Sequence, residues 1–364
     1  MKKYLLAIPV IFIIYLIVSN SAASLFYARD AINICMEMII PTLFPFFICS
    51  GILIHSGFCE DLARLFSFCM QPLFKINPTG SSAFVLGIIS GYPLGAITAG
   101  ELYENQYISK TEAERLIAFC NNSGPLFILG SVGAAIYADM KIGAILYITH
   151  ILAALSVGII FRFYKRNELC GVYNKKIRNY LSLSEIFNIS LQNAIRNILT
   201  VCGAVVFFSI CGRILLDVFP LSDTMYTILS GIMEFATGTV NISYLSIPLA
   251  EKLVLTAFIV GFAGISVHMQ VIAVISRHKL SLVPYFTGKI LHGILAAIYM
   301  LIYLHFNPIT VQSFSPSMSK AFAAVSFYEA LAVICVGIVS VLSILFLFVQ
   351  LYFTSNAKNT NAIK

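Results

Sequence analysis

The chain has 364 residues, of which 59% are hydrophobic and 11% charged, and its mean hydropathy is +0.90. This composition excludes a soluble globular domain and describes a polytopic, all-α membrane protein. The net charge of +7 does not call for nucleic acid, because the basic residues sit in the gaps between apolar runs.

In chain order, apolar runs long enough to cross a bilayer are read at 4–19, 32–54, 142–163, 198–219, 253–276, 285–304 and 321–353. Lys2 and Lys3 followed by an apolar run and "SNSAAS" also fit a cleavable signal peptide, but the many later spans favour an uncleaved first helix. The nine cysteines contain no CxxC pair, so neither a disulfide framework nor a structural metal is indicated. "CEDLARLFSFCMQPLF" from Cys59 reads as an interfacial helix, with a buried core helix as the alternative.

The loop "FRFYKRNELCGVYNKKIRNY" holds six basic residues against Glu168 and reads as cytoplasmic, as do the N-terminal lysines, "RHK" at 277–279 and the C-terminal Lys358 and Lys364. A basic membrane-surface patch is the alternative. With both ends inside, the run at 32–54 returns to the cytoplasm and the run at 142–163 enters from outside. An odd number of crossings must lie between them. "ISKTEAERLIAFC" supplies one: Ser109 and Glu112 form a predicted capping box, and the helix rises to about Tyr137.

"LGIISGYPLGA" then has to leave and return on one side as a re-entrant hairpin, and "LSGIMEFATGTVNISYLSIP" does the same in the second half. Both halves read helix, hairpin, helix, helix, in opposite directions. "FFICSGIL" from Phe46 is echoed by "FFSICGRIL" from Phe207, and Gly91 and Gly124 are separated by as many residues as Gly231 and Gly264. Inverted repeats are therefore expected. The organisation is an N-terminal helix (1–30), a first repeat (31–165), a basic cytoplasmic loop (166–182), a second repeat (183–305), and an extracytoplasmic loop, last helix and short tail (306–364).

Backbone that leaves the helix at membrane depth is tolerated only where protein buries it or it lines a wet cavity. The candidate site is accordingly drawn from the breaks. In the first half it takes Ser90, Gly91, Tyr92 and Pro93, then Asn121, Asn122, Ser123, Gly124 and Pro125, where the helix should unwind and restart near Pro125. In the second half it takes Glu234 and Thr237 of the hairpin, then Gly264, Ser266 and Gln270 of "GFAGISVHMQV". An ionisable Glu234 at this depth is a functional candidate, with a structural pairing as the alternative. His268 is read as a structural histidine, and Arg213 with Asp217 as a pair within one helix.

No HExxH, Walker A loop or nucleophile elbow is present, and the SxxK matches at Ser276, Ser317 and Ser355 lack companion motifs. The chain is not read as an enzyme.

Together, "LGIISGYPLGA", "EAERLIAFCNNSGPLFILGSVG", "NAIRNILTVCGAVVFFS", "SGIMEFATG" and "GFAGISVHMQV" resemble the YlbJ (SpoVV) family of sporulation integral membrane proteins, which carries the nucleoside-recognition Gate domain. The resemblance covers about 42–304. It implies an outer forespore membrane transporter moving dipicolinic acid out of the mother cell, with an architecture similar to concentrative nucleoside transporters. A nucleoside or other small heterocycle carrier, and a non-transporting scaffold, are the alternatives. The implied partners are dipicolinate and the lipid bilayer. Oligomeric state and coupling ion, H+ or Na+, are left open, and no other cofactor is called for. One departure from the family is Ala263, where a second glycine is frequent.

Overall fold

The computed structural model describes residues 2–56, 69–165 and 182–307. Among them the chain is helical and contains no strand. By length and composition, four helices can cross a membrane: Met140–Phe161, Leu183–Asp217, Leu249–Arg277 and Val283–Phe306. A fifth is possible if Ala7–Ser19 and Ser21–Ile39, bent by 96°, count as one span. The last predicted span, most of the predicted interfacial helix and the basic loop up to residue 181 lie outside the described residues.

Helix α1 (Lys2–Ser19) ends at a bend, and α2 (Ser21–Ile34) starts at once. The Ser24 hydroxyl donates to the carbonyls of Asn20 and Ile17 at 2.8 and 2.9 Å across this corner. The stretch between the apolar runs at 4–19 and 32–54 is thus helical from Ser21 onward. A π-wound turn, Cys35–Ile39, leads into α3 (Ile40–Ser56).

A helical hairpin follows, α4 (Ser81–Ser90) and α5 (Leu94–Glu104), broken at Gly91 to Pro93 as predicted. Helix α6 (Lys110–Ile117) opens on the predicted capping box, with Ser109 and Glu112 each bonding the other's backbone N–H. The chain then unwinds and resumes as α7 (Leu126–Ile136), wound as a π-helix, with Pro125 at its N-cap. Helix α8 (Met140–Phe161) closes the first half.

The second half repeats the order. Helix α9 (Leu183–Asp217) has 35 residues, about 50 Å, well beyond a hydrocarbon core of roughly 30 Å. It starts earlier than expected because Ser182 and Glu185 form another capping box. Then come the hairpin α10 (Asp223–Met233) and α11 (Phe235–Tyr244), the broken pair α12 (Leu249–Phe262) and α13 (Gly264–Arg277), and α14 (Val283–Phe306).

Helix α9 packs along α3 and α2, while α14 packs against α12 and α8. Leu199 and Phe207 of α9 and Ile298 and Ile302 of α14 stay exposed, as lipid-facing positions require. The expected Arg213–Asp217 pair is not formed. Arg213 instead pairs with Asp30 of α2, its guanidinium 4.1 Å from the Tyr27 ring centroid, and Asp217 accepts from the Tyr27 hydroxyl at 2.5 Å. Both residues face the neighbouring helix, so partners across the interface win over the one a turn away.

Charged residues of α6 bind the chain around them. Arg115, 2% exposed, donates to the carbonyls of Lys75, Tyr164 and Lys165 at 2.8 to 3.0 Å. Glu114 accepts from Lys165 Nζ at 2.9 Å and from the Ser281 N–H at 3.0 Å. Asn77 donates its N–H to Glu112 at 2.7 Å.

Candidate functional site

The segment between α6 and α7 is fully buried from residue 118 to 124 although it is not helical. Several of its backbone groups find partners within the chain, as burial away from water demands. The N–H groups of Phe119 and Cys120 donate back to the Leu116 carbonyl. The Phe119 carbonyl accepts from Asn122 Nδ2 at 3.0 Å, and the Asn121 carbonyl from Lys289 Nζ at 3.1 Å. The Ser123 N–H donates to His150 Nε2 at 3.1 Å, and the Gly124 carbonyl accepts from Ile128. Side chains of α8 and α14 thus replace bonds that a continuous helix would have made.

Close backbone approach seals this segment. Methyl groups on Gly87 and Gly95, one on each arm of the first hairpin, would lie 1.6 and 2.2 Å from the Cys120 carbonyl oxygen; one on Gly288 of α14 would lie 2.3 Å from that of Ala118. Bulk at any of these would push the unwound strand away from its partners.

The two hairpin tips reach the two breaks. Gly91 (φ 79°) lies against Gly124, and Gly264 (φ 71°) against Gly231 and Phe235. These pairings join the residues whose equal spacing marked them in the sequence. Ala263 also sits at positive φ, 78°, where a side chain is uncommon.

Glu234 falls between α10 and α11 and caps the latter. Its carboxylate accepts from the N–H groups of Ala236 and Thr237 at 3.2 and 2.6 Å, with Ser266 Oγ at 3.5 Å. A carboxylate on the first turn of a helix meets both free N–H groups and the positive end of the dipole.

One narrow cavity lies where these elements meet. Ser90, Gly91, Tyr92, Ser123, Gly124, Ser266 and Gln270 of the predicted set line it, and Phe47, Phe127, Val205 and Phe235 are among the apolar residues that complete the wall. The predicted Asn121 and Asn122 are buried beside it in the break, Pro93 and Pro125 start the helices that leave it, and Thr237 is buried near Ser209. Glu234 and Gly264 adjoin Phe235. Tyr92 meets Phe235 edge-on at 5.5 Å between ring centroids, and Phe235 packs on Phe127 at 5.0 Å.

Four buried side-chain polar atoms of the hairpin tip and the break, Ser90 Oγ, Asn121 Nδ2, Asn122 Oδ1 and Ser123 Oγ, have no hydrogen-bond partner among the described residues. Buried groups of this kind cost stability unless something binds them.

Sequence reading missed the layer beneath the break. Lys289 and His292 of α14 and His150 of α8 are each at most 1% exposed. His292 Nε2 bonds the His150 carbonyl at 2.9 Å, which makes it the donor and leaves Nδ1 to accept from Lys289 Nζ at 3.4 Å. The His150 and His292 rings lie 4.3 Å apart. A lysine at mid-helix in a membrane span was itself the available signal. His268 bonds the Tyr285 hydroxyl through Nδ1 at 2.9 Å, in keeping with its structural reading.

The fold and this buried meeting of helix breaks define a polytopic integral membrane protein of helical type. Residues 36–160 match the Gate family, described as nucleoside recognition. The chain is 28% identical over 328 residues, 80% of each chain, to the sporulation integral membrane protein YlbJ of Bacillus subtilis (strain 168). Both matches bear out the resemblance read from the sequence. No solved structure matches the chain.

Proposed function

We propose that this protein is a secondary carrier for a small anionic heterocycle. Dipicolinate, moved from the mother cell across the outer forespore membrane, is the substrate that the family resemblance implies. The observation that carries the reading is the convergence of two hairpin tips and two helix breaks on one cavity flanked by unpartnered polar atoms. Unwound helices with free donors at membrane depth suit a carboxylate, and the like order of elements in the two halves supports reading them as inverted repeats. Basic residues on the cytoplasmic side would raise the local concentration of a dianion. A scaffold would need neither break.

A nucleoside or related neutral heterocycle is the second reading, favoured by the description of the Gate family. Uptake into liposomes holding the purified protein separates them. Dipicolinate uptake that uridine does not compete away supports the first reading, and uridine uptake without dipicolinate uptake supports the second. In the organism, loss of the gene should leave dipicolinate in the mother cell and deplete it from the spore.

A further inference from the structure

Lys289 carries no assigned role, and its surroundings are unusual for a cation. The residue is 1% exposed. It donates to two neutral acceptors, the Asn121 carbonyl and His292 Nδ1, and forms no ion pair among the described residues. Burying an ammonium without an anion is costly, and such charges are normally paired. An ammonium has three N–H donors, so one is left over. It lies 5.6 Å from the centroid of the Tyr92 ring, and Tyr92 lines the cavity. Asn121, whose carbonyl holds the ammonium, also carries the unpartnered Nδ2.

We propose that Lys289 is the buried counter-charge for a carboxylate of the transported molecule. The carboxylate would take the free donors of Asn121 Nδ2 and Ser90 Oγ at the first break and balance the charge of the ammonium. Glu234, at the tip of the second hairpin, makes the cavity electrically one-sided, so the anionic end of a substrate belongs at the first break. The assignment rests on the anion-carrier reading above. It goes beyond that reading by naming the residue that selects for negative charge.

The test uses purified full-length protein, with thermal melting in detergent and uptake in liposomes. The probes are dipicolinate, picolinate and nicotinamide, which carry two, one and no carboxylates. Wild-type protein should prefer them in that order. Lys289→Met should weaken dipicolinate binding by about tenfold or more and lose the preference, whereas Lys289→Arg should keep it. A Lys289→Met protein with the wild-type order of preference overturns the proposal.

Should that variant fail to fold, Asn121→Asp decides. It supplies within the chain the carboxylate that a substrate would bring, so its ligand-free melting temperature should rise and dipicolinate should add nothing. An Asn121→Asp protein stabilised by dipicolinate as the wild type is overturns the assignment. A wild-type protein that ignores all three probes but takes up uridine overturns the anion-carrier reading, and the Lys289 assignment falls with it.

Discussion

Gly91 and Gly124 touch backbone to backbone: a methyl group on Gly91 would stand 2.9 Å from the Gly124 nitrogen. The contact docks the first hairpin tip on the first break, and Gly91 holds φ 79° to make it. With ψ −173° it lies in a region essentially restricted to glycine, so Gly91→Ala should cost roughly 1 to 3 kcal/mol in backbone conformation alone, and more from the collision. Gly203→Ala is the control, since nothing lies within 4 Å of a methyl group there; it should be neutral or stabilising by about 0.5 to 1 kcal/mol. Melting curves of the two variants in one detergent check the contrast.

Ala263 occupies the left-handed region at 0% exposure. Ala263→Gly should stabilise the second break or leave it unchanged, while Ala263→Val, branched and buried at positive φ, should be strongly destabilising. Yield and melting temperature read the difference.

Asn122 and Ser123 test the first break as a recognition element. If the Ser123 hydroxyl donates to a charged carboxylate, Ser123→Ala removes about 1.5 to 3 kcal/mol and lowers affinity roughly tenfold or more, with expression little changed. The free atom of Asn122 is the acceptor Oδ1, so Asn122→Ala tests a donor group on the substrate. Unaltered dipicolinate uptake by both variants would leave the breaks as purely structural features.

Glu234 separates capping from coupling. Glu234→Ala removes the acceptor for two N–H groups of α11 and should cost about 0.5 to 2 kcal/mol. Glu234→Gln keeps an acceptor oxygen and should fold. If the carboxylate carries a coupling proton, uptake by this variant loses its pH dependence. Wild-type pH dependence in Glu234→Gln would confine the residue to its cap.

Charge-based threading places the start of α8 outside the cell and the loop after it inside. In a protein cleared of native cysteines, Lys141→Cys should react with an impermeant thiol reagent in intact cells, and Asn174→Cys should not. The reverse pattern would undo the inverted repeat.

Local chemistry was legible in the sequence wherever neighbours in the chain decide the structure. Ser109 with Glu112 predicted a helix start, and "NNSGP" predicted the break and the restart at Pro125, because caps and proline act within a turn; the helix itself already ends at Ile117. The partners that replace the lost helix bonds were not legible. Lys289 and His150 reach the break from helices far along the chain, and nothing in a long apolar run tells which neighbour a polar residue will meet. Lys289 and His292 do share one face of α14 by their spacing, a readable trace beside the mid-span lysine itself. Arg213 failed for the same reason, since Asp30 lies on another helix.

The aromatic wall of Tyr92, Phe127 and Phe235 has an optical use. The chain has no tryptophan, so Phe127→Trp or Phe235→Trp would give the whole protein a single indole, placed against the cavity. Its emission would carry no background from elsewhere in the chain, and quenching or a colour shift on adding a pyridine carboxylate would report occupancy directly, without measuring flux.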